Sequence, residues 1–232
     1  MIKIKIGVLG GIGPEASAEF YSKLVKKIQE SCAIEKNTDF PQIIINSIPA
    51  PELIYDEIRD TDLLPYSDGL KELDKLGADF IVMVCNTIHL YYDNLQEKMR
   101  TPIIDLRMEV KKAIGESGAR SMLILGTPST IKHGLYKCDD IKNFQPNKKE
   151  LGDLTNAIFH FNKGHEKEKQ SQIVREICEK YMNMGAEILL LGCTEFAVML
   201  EKEKFPKINT IDVLVGAVID NLNKPQPMIK KK

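Results

Sequence analysis

GADFIVMVCNT at Gly77–Thr87 and GAEILLLGCTE at Gly185–Glu195 align without a gap. Each runs glycine, alanine, an acidic residue and a short apolar stretch, then a cysteine and a polar residue that opens a helical pattern. An apolar stretch this short, without period-two alternation, predicts a strand buried on both faces, as in a parallel sheet covered by helices. Because the unit occurs twice, in the two halves of the chain, two similar α/β lobes are expected. Each would present its cysteine, Cys85 or Cys193, at the carboxyl end of a strand, where open parallel sheets bind ligands.

The same alternation extends outward from these units. Ile2–Leu9 precedes Pro14–Ser31, Phe80–Val84 precedes Thr87–Met99, and Ser121–Leu125 precedes Thr127–Tyr136. Ile188–Leu191 precedes Thr194–Glu201, and Asn209–Ile211 precedes Val213–Leu222. Gln42–Ser47 and Pro102–Asp105 read as further strands, the latter followed by a helix over Leu106–Ser117. The fold class is therefore α/β, with two pseudo-symmetric lobes, each a mostly parallel sheet flanked by helices, and a cleft between them. The expected division gives residues 1–101 plus 206–223 to the first lobe and 102–205 to the second, with 224–232 a mobile basic tail. The polar text between Cys138 and Glu168 reads as surface helices and loops around a short helical stretch at Leu151–Phe161.

Composition narrows the function. A chain of 232 residues with 43% hydrophobic content can bury a sizeable core. Its 32 basic and 33 acidic residues leave a formal charge of -1, too little single-sign field to hold a nucleic acid or an anionic membrane. The N-terminal apolar stretch is too short for a secretory signal, and no run approaches the ~20 residues that span a bilayer. A cytoplasmic protein with free thiols is expected, because the five cysteines form no CxxC pair and no metal-ligand cluster. No metal and no cofactor are expected.

Cys32, Cys138 and Cys178 read as small hydrophobes. Cys85 and Cys193 differ, since each sits at a strand-to-helix turn whose free N–H groups favour a thiolate and would lower its pKa. Two thiols facing each other across a cleft suit the inversion of a stereocentre: one removes a proton from one face, the other delivers a proton to the opposite face. A redox pair is the competing use, and the missing CxxC spacing disfavours it. Capping alone would explain Asn86, Thr87 and Thr194, but the same N–H groups could anchor a carboxylate. The glycine-rich GGIGPEAS lacks both nucleotide-loop patterns and reads as a tight turn into a helix with Pro14 in its first turn.

The stretches GVLGGIGPEAS (Gly7–Ser17), VCNTIH (Val84–His89) and LLGCTE (Leu190–Glu195), in this order, resemble the aspartate/glutamate racemase family, which works without pyridoxal phosphate. The resemblance spans Ile6 to about Val218. It implies an amino-acid racemase acting on aspartate or glutamate, with the active site between two lobes, Cys85 and Cys193 as the acid/base pair, and a homodimer. Candidate substrate-facing positions are Gly11, Ser47, Asn86, Thr87, Thr127, Thr130 and Thr194; Glu195 reads as orienting the Cys193 side, as binding the substrate amino group or as a plain first-turn carboxylate. His89 reads as a structural helix residue. Two family cations are missing: Pro51 stands where an arginine is expected, and Asn162 where a lysine is expected, with Lys163 beside it. Either Lys163 or a basic residue elsewhere, such as Arg59, replaces them, or the substrate is not acidic. A racemase of a non-acidic amino acid, a hydantoin racemase, a maleate isomerase and a non-catalytic binder of small molecules stay open as alternatives.

Overall fold

The computed structural model describes residues 4–54 and 58–224. Among these residues, seven strands form two wholly parallel sheets. In the first sheet β1 (Lys5–Gly10) lies between β2 (Gln42–Ser47) and β3 (Phe80–Met83). In the second, β4 (Ser121–Gly126), β5 (Lys142–Phe144), β6 (Ile188–Gly192) and β7 (Lys207–Asn209) are ordered β5-β4-β6-β7. The helices are α1 (Pro14–Ser31), α2 (Leu64–Lys75), α3 (Tyr92–Glu97), α4 (Leu106–Ser117), α5 (Pro128–Lys132), α6 (Lys148–Asn162), α7 (Lys167–Asn183), α8 (Thr194–Met199) and α9 (Thr210–Asn223).

The repeated Gly-Ala-acid triplet builds the same joint in both lobes. Gly77 (φ 77°) and Gly185 (φ 98°) adopt the left-handed conformation that ends α2 and α7. Their N–H groups reach back to Asp74 and Met182, and those of Ala78 and Ala186 reach Leu73 and Tyr181. This is the paired closure of a Schellman motif. The acidic residue then ties the new strand to its neighbour: Asp79 accepts from the Lys5 N–H at 2.6 Å and Glu187 from the Arg120 N–H at 2.8 Å.

The first sheet splits its side chains between two cores. Ile6, Val8, Phe80 and Val82 join the larger core with α1, α4, α9 and the second sheet, whereas Leu9, Ile81 and Met83 face α2. The larger core is continuous across both lobes.

The division into lobes differs from the sequence expectation in two places. Residues 206–223 do not belong to the first lobe as a unit, because β7 pairs with β6 in the second sheet. Residues 102–105 do not open the second lobe, because Ile103 forms a parallel bridge to Ile81 at the edge of the first sheet. The corrected arrangement is more symmetric: each sheet gains its last partner after a cysteine turn, and a helix follows. Asp105 caps α4 by accepting from the Arg107 N–H at 3.0 Å, and Asn209 caps α9 by accepting from the Ile211 N–H at 2.9 Å. Asn209 therefore ends a strand instead of starting one. Residues 225–232, nearly all of the expected tail, lie outside the described residues.

Candidate active site

Cys85 follows β3 and Cys193 follows β6, so the pseudo-symmetry brings both to one cavity of about 210 Å³ between the lobes. Both thiols are buried and free. The turn at 87–91 packs on α5 of the other lobe, and α8 packs on α1. Each cysteine turn is thus held by the opposite half of the chain.

The expected lowering of the thiol pKa is not met. Burial pushes Cys85 up to about 12, outweighing the pull of the Ile88 and Thr87 backbone N–H groups toward the thiolate. Burial, with the Glu195 carboxylate beside it, pushes Cys193 well above its ordinary value. Burial thus favours the thiol form of both groups.

The polar neighbours form two networks across the lobes. The amide of Asn86 donates to Thr210 Oγ1 at 3.0 Å, and its oxygen accepts from the Tyr136 hydroxyl at 2.6 Å. Thr210 in turn donates to the Leu191 carbonyl on β6 at 2.8 Å. Thr87, Thr127 and Thr130 share a hydroxyl cluster, with Thr87 Oγ1 3.1 Å from Thr127 and 3.2 Å from Thr130. The capping account therefore fails for Asn86 and Thr87, whose side chains hold the lobes together. Thr127, by contrast, caps α5 by accepting from the Thr130 N–H at 3.1 Å. Tyr136 has no motif in the sequence; only the fold brings its hydroxyl to Asn86.

Glu195 is buried at the cavity wall. Its Oε2 accepts from Cys193 Sγ at 2.9 Å and from Thr194 Oγ1 at 3.3 Å, and its Oε1 accepts from Asn162 Nδ2 at 3.1 Å. Gly13, at φ 82°, packs so close that a Cβ there would lie 2.5 Å from Oε1.

Of the expected positions, Gly11, Asn86, Thr87, Thr127, Lys163, Thr194 and Glu195 line the cavity with the two cysteines. Ser47 does not: it is exposed at the end of β2. Thr130 does not either, since its hydroxyl backs Thr87 and Thr127 from behind. Arg59 pairs with Asp62 on the surface with its side chain 79% exposed, away from the cavity. Pro51 accepts from the Tyr66 hydroxyl, and its neighbours Ala50 and Glu52 face the cavity instead. His89 is wholly buried, its Nδ1–H donating to the Cys85 carbonyl at 2.8 Å. Among the described residues, no group of three His, Cys, Asp or Glu could hold a metal ion, and no helix is long and apolar enough to cross a membrane.

A family model described as Asp/Glu/Hydantoin racemase matches residues 9–218, from β1 to α9. The chain belongs to the Asp/Glu/Hydantoin racemase family. It is 27% identical over 223 residues to the broad specificity amino-acid racemase RacX of Bacillus subtilis (strain 168), covering 92% of this chain and 96% of that protein. An aspartate racemase homologue from Pyrococcus horikoshii OT3 superposes with a TM-score of 0.72 at 25% identity, over 95% of this chain and 99% of that one. The Picrophilus torridus aspartate racemase shares the fold, with a TM-score of 0.77 at 22% identity over 97% of this chain and 96% of that one. The chain is thus an isomerase of the racemase class, and the two-lobed α/β fold expected from the repeated unit holds.

Proposed function

We propose that this enzyme racemises a free amino acid by a two-thiol mechanism that needs no pyridoxal phosphate, and that its substrate has a non-acidic side chain. The observation that carries the mechanism is the convergence of Cys85 and Cys193, from equivalent turns of opposite lobes, on one cavity. One cysteine, as thiolate, takes the α-proton: the C–H bond breaks, an S–H bond forms, and the electron pair passes into the substrate carboxylate. The other, as thiol, delivers its proton to the opposite face. Asn86, Thr87 and Thr194 line the cavity, and their backbone N–H groups would hold that carboxylate as it gains charge, which is the costly step without a cofactor.

The substrate class follows from charge. Glu52 and Glu195 contribute two carboxylates to the lining, and Lys163 is its single cation among the described residues. Ala50, Leu53, Ile54 and Phe159 add apolar surface to the wall. A side-chain carboxylate would enter against two like charges, whereas a neutral or cationic side chain meets no such opposition. The similarity to a broad specificity amino-acid racemase supports the same reading. Lys163 favours a second reading, aspartate or glutamate with its side chain held at the cavity mouth.

Exchange of the α-hydrogen in D2O, followed by mass spectrometry over a panel of acidic, neutral and basic amino acids, tests both readings. Neutral or basic amino acids should exchange and racemise at least tenfold faster than aspartate and glutamate, and C85A and C193A should each abolish racemisation. Absence of exchange with every amino acid would reject the racemase reading. Preference for aspartate would reject only the substrate class.

A further inference from the structure

The two thiols are chemically similar but not placed alike. Cys193 Sγ lies 2.9 Å from a carboxylate oxygen of Glu195, and that carboxylate is fixed from three further directions. Asn162 Nδ2 holds its other oxygen at 3.1 Å, Thr194 Oγ1 lies 3.3 Å away, and Gly13 leaves no space on the side of α1. Glu195 forms no ion pair among the described residues, although Lys163 lines the same cavity. The carboxylate is a hydrogen-bond acceptor held in place, and a thiol can donate to it only while protonated. Among the described residues, no carboxylate is hydrogen-bonded to Cys85: the backbone N–H groups of Ile88 and Thr87 approach its sulfur and stabilise a thiolate, while the Glu195 charge acts on it only through space, and the Tyr66 and Tyr136 hydroxyls are the other titratable groups around it.

We infer that Glu195 is a positioning residue that polarises the thiol pair, holding Cys193 as the resting acid so that the single thiolate of the working site resides on Cys85. This rests on the racemase reading of the cavity. A site with two thiols and one proton fewer has two arrangements, with the charge on either sulfur. The S–H···O bond to Glu195 stabilises the arrangement with the proton on Cys193, and repulsion between Glu195 and a Cys193 thiolate disfavours the other. The charged and titratable groups facing Cys193 are Glu195 on its own helix, Cys85 across the cavity and the Tyr136 hydroxyl, with Glu52 and Lys163 farther along the wall. The free enzyme therefore accepts, without proton rearrangement, the enantiomer whose α-hydrogen faces Cys85. Because the equilibrium constant of racemisation is one, kcat/KM stays equal in the two directions. The polarity appears in kcat and KM separately, and in the titration of the thiols.

The test is the site-resolved rate of alkylation of the full-length, reduced enzyme by iodoacetamide from about pH 6 to about pH 11, a rate that follows the thiolate fraction, with peptide mass spectrometry of Cys85 and Cys193. In the wild type Cys85 should label faster than Cys193 at every pH. E195Q keeps the size of the side chain and its contact with Asn162 but removes the charge. It should raise the Cys193 labelling rate about tenfold or more and change Cys85 less. A purely structural role for Glu195 would change neither rate selectively. Cys193 labelling faster than Cys85 in the wild type, or an unchanged or slower Cys193 rate in E195Q, overturns the inference. If E195Q fails to fold, the wild-type order alone decides. Deuterium exchange run on the same sample separates the two readings: the expected labelling order without exchange on any amino acid rejects the racemase and leaves the thiol polarity standing.

Discussion

His89 shows how burial alone fixes the role of a titratable residue. It lies four positions after Cys85 and could be mistaken for a catalytic base, yet its ring is fully enclosed and its Nδ1–H is spent on the Cys85 carbonyl. Burial pulls its pKa from 6.5 down to about 4. Between those values the unfolded chain binds a proton that the folded chain refuses, so stability is complete above pH 6.5 and is lost as pH falls toward 4. The slope reaches about 1.4 kcal/mol per pH unit. H89N retains a donor for the Cys85 carbonyl and cannot titrate. Urea midpoints at pH 7 and pH 5 should therefore fall less for H89N than for the wild type, and equal falls would show that His89 is not the acid-sensitive group. The same balance separates the position of the cysteine turns, which the chain pattern marks, from the pKa of their thiols, which it does not. The sequence shows that Cys85 and Cys193 begin helical turns, but the closing of the cavity over them depends on the opposite lobe and is invisible along the chain.

At the scale of elements, the Gly-Ala-acid triplet carries its whole function in three letters: helix end, first buried residue, and tether to the neighbouring strand. A Cβ at Gly185 would meet nothing within 4 Å, and one at Gly77 would meet only Lys5 Nζ at 3.7 Å. The cost of G77A or G185A is therefore purely that of the left-handed backbone, about 1–2 kcal/mol each. Similar losses in urea denaturation for the two variants would support their equivalence, and a loss in one alone would break it. Strands with continuous apolar runs were legible for the same local reason, and so were α1 and α4 with their starts and stops. Short or edge elements were not. β5, three residues long, and α2, behind the loop that carries Pro51, have no run that the sequence pattern marks, while Pro102–Asp105 and Asn209–Ile211 read as strands by hydrophobicity where a cap and a single bridge decide. Ser47 and Thr130 lie outside the cavity for reasons the chain pattern does not carry: Ser47 is exposed at the end of β2, and the Thr130 hydroxyl is held by Thr87 and Thr127.

For the whole molecule, the decisive fact is that the lobes exchange support. α1 packs on α8, the turn at 87–91 packs on α5, and α4 and α9 pack on each other. Lys23 on α1 reaches Glu201 and Asp212 at 2.6 Å each, and Lys167 on α7 pairs with Glu15 on α1. With one core continuous across both lobes, the enzyme should unfold as a single cooperative unit despite its two sheets. Far-UV circular dichroism and tyrosine fluorescence, the latter available because the chain has 7 tyrosines and no tryptophan, should give coincident urea transitions. Two separated transitions would mean that the lobes are independent. Tyr136 joins this support to the chemistry. Y136F removes the donor to the Asn86 oxygen, leaving that acceptor buried without its partner, at a cost of about 1–3 kcal/mol. Because Asn86 adjoins Cys85 and is otherwise held by Thr210 of α9, the same change loosens the turn that positions the thiol. Y136F should lower kcat while its unfolding remains a single transition shifted to lower urea. A variant with wild-type stability and turnover would show that the Tyr136–Asn86 bond contributes to neither the joining of the lobes nor the placing of Cys85.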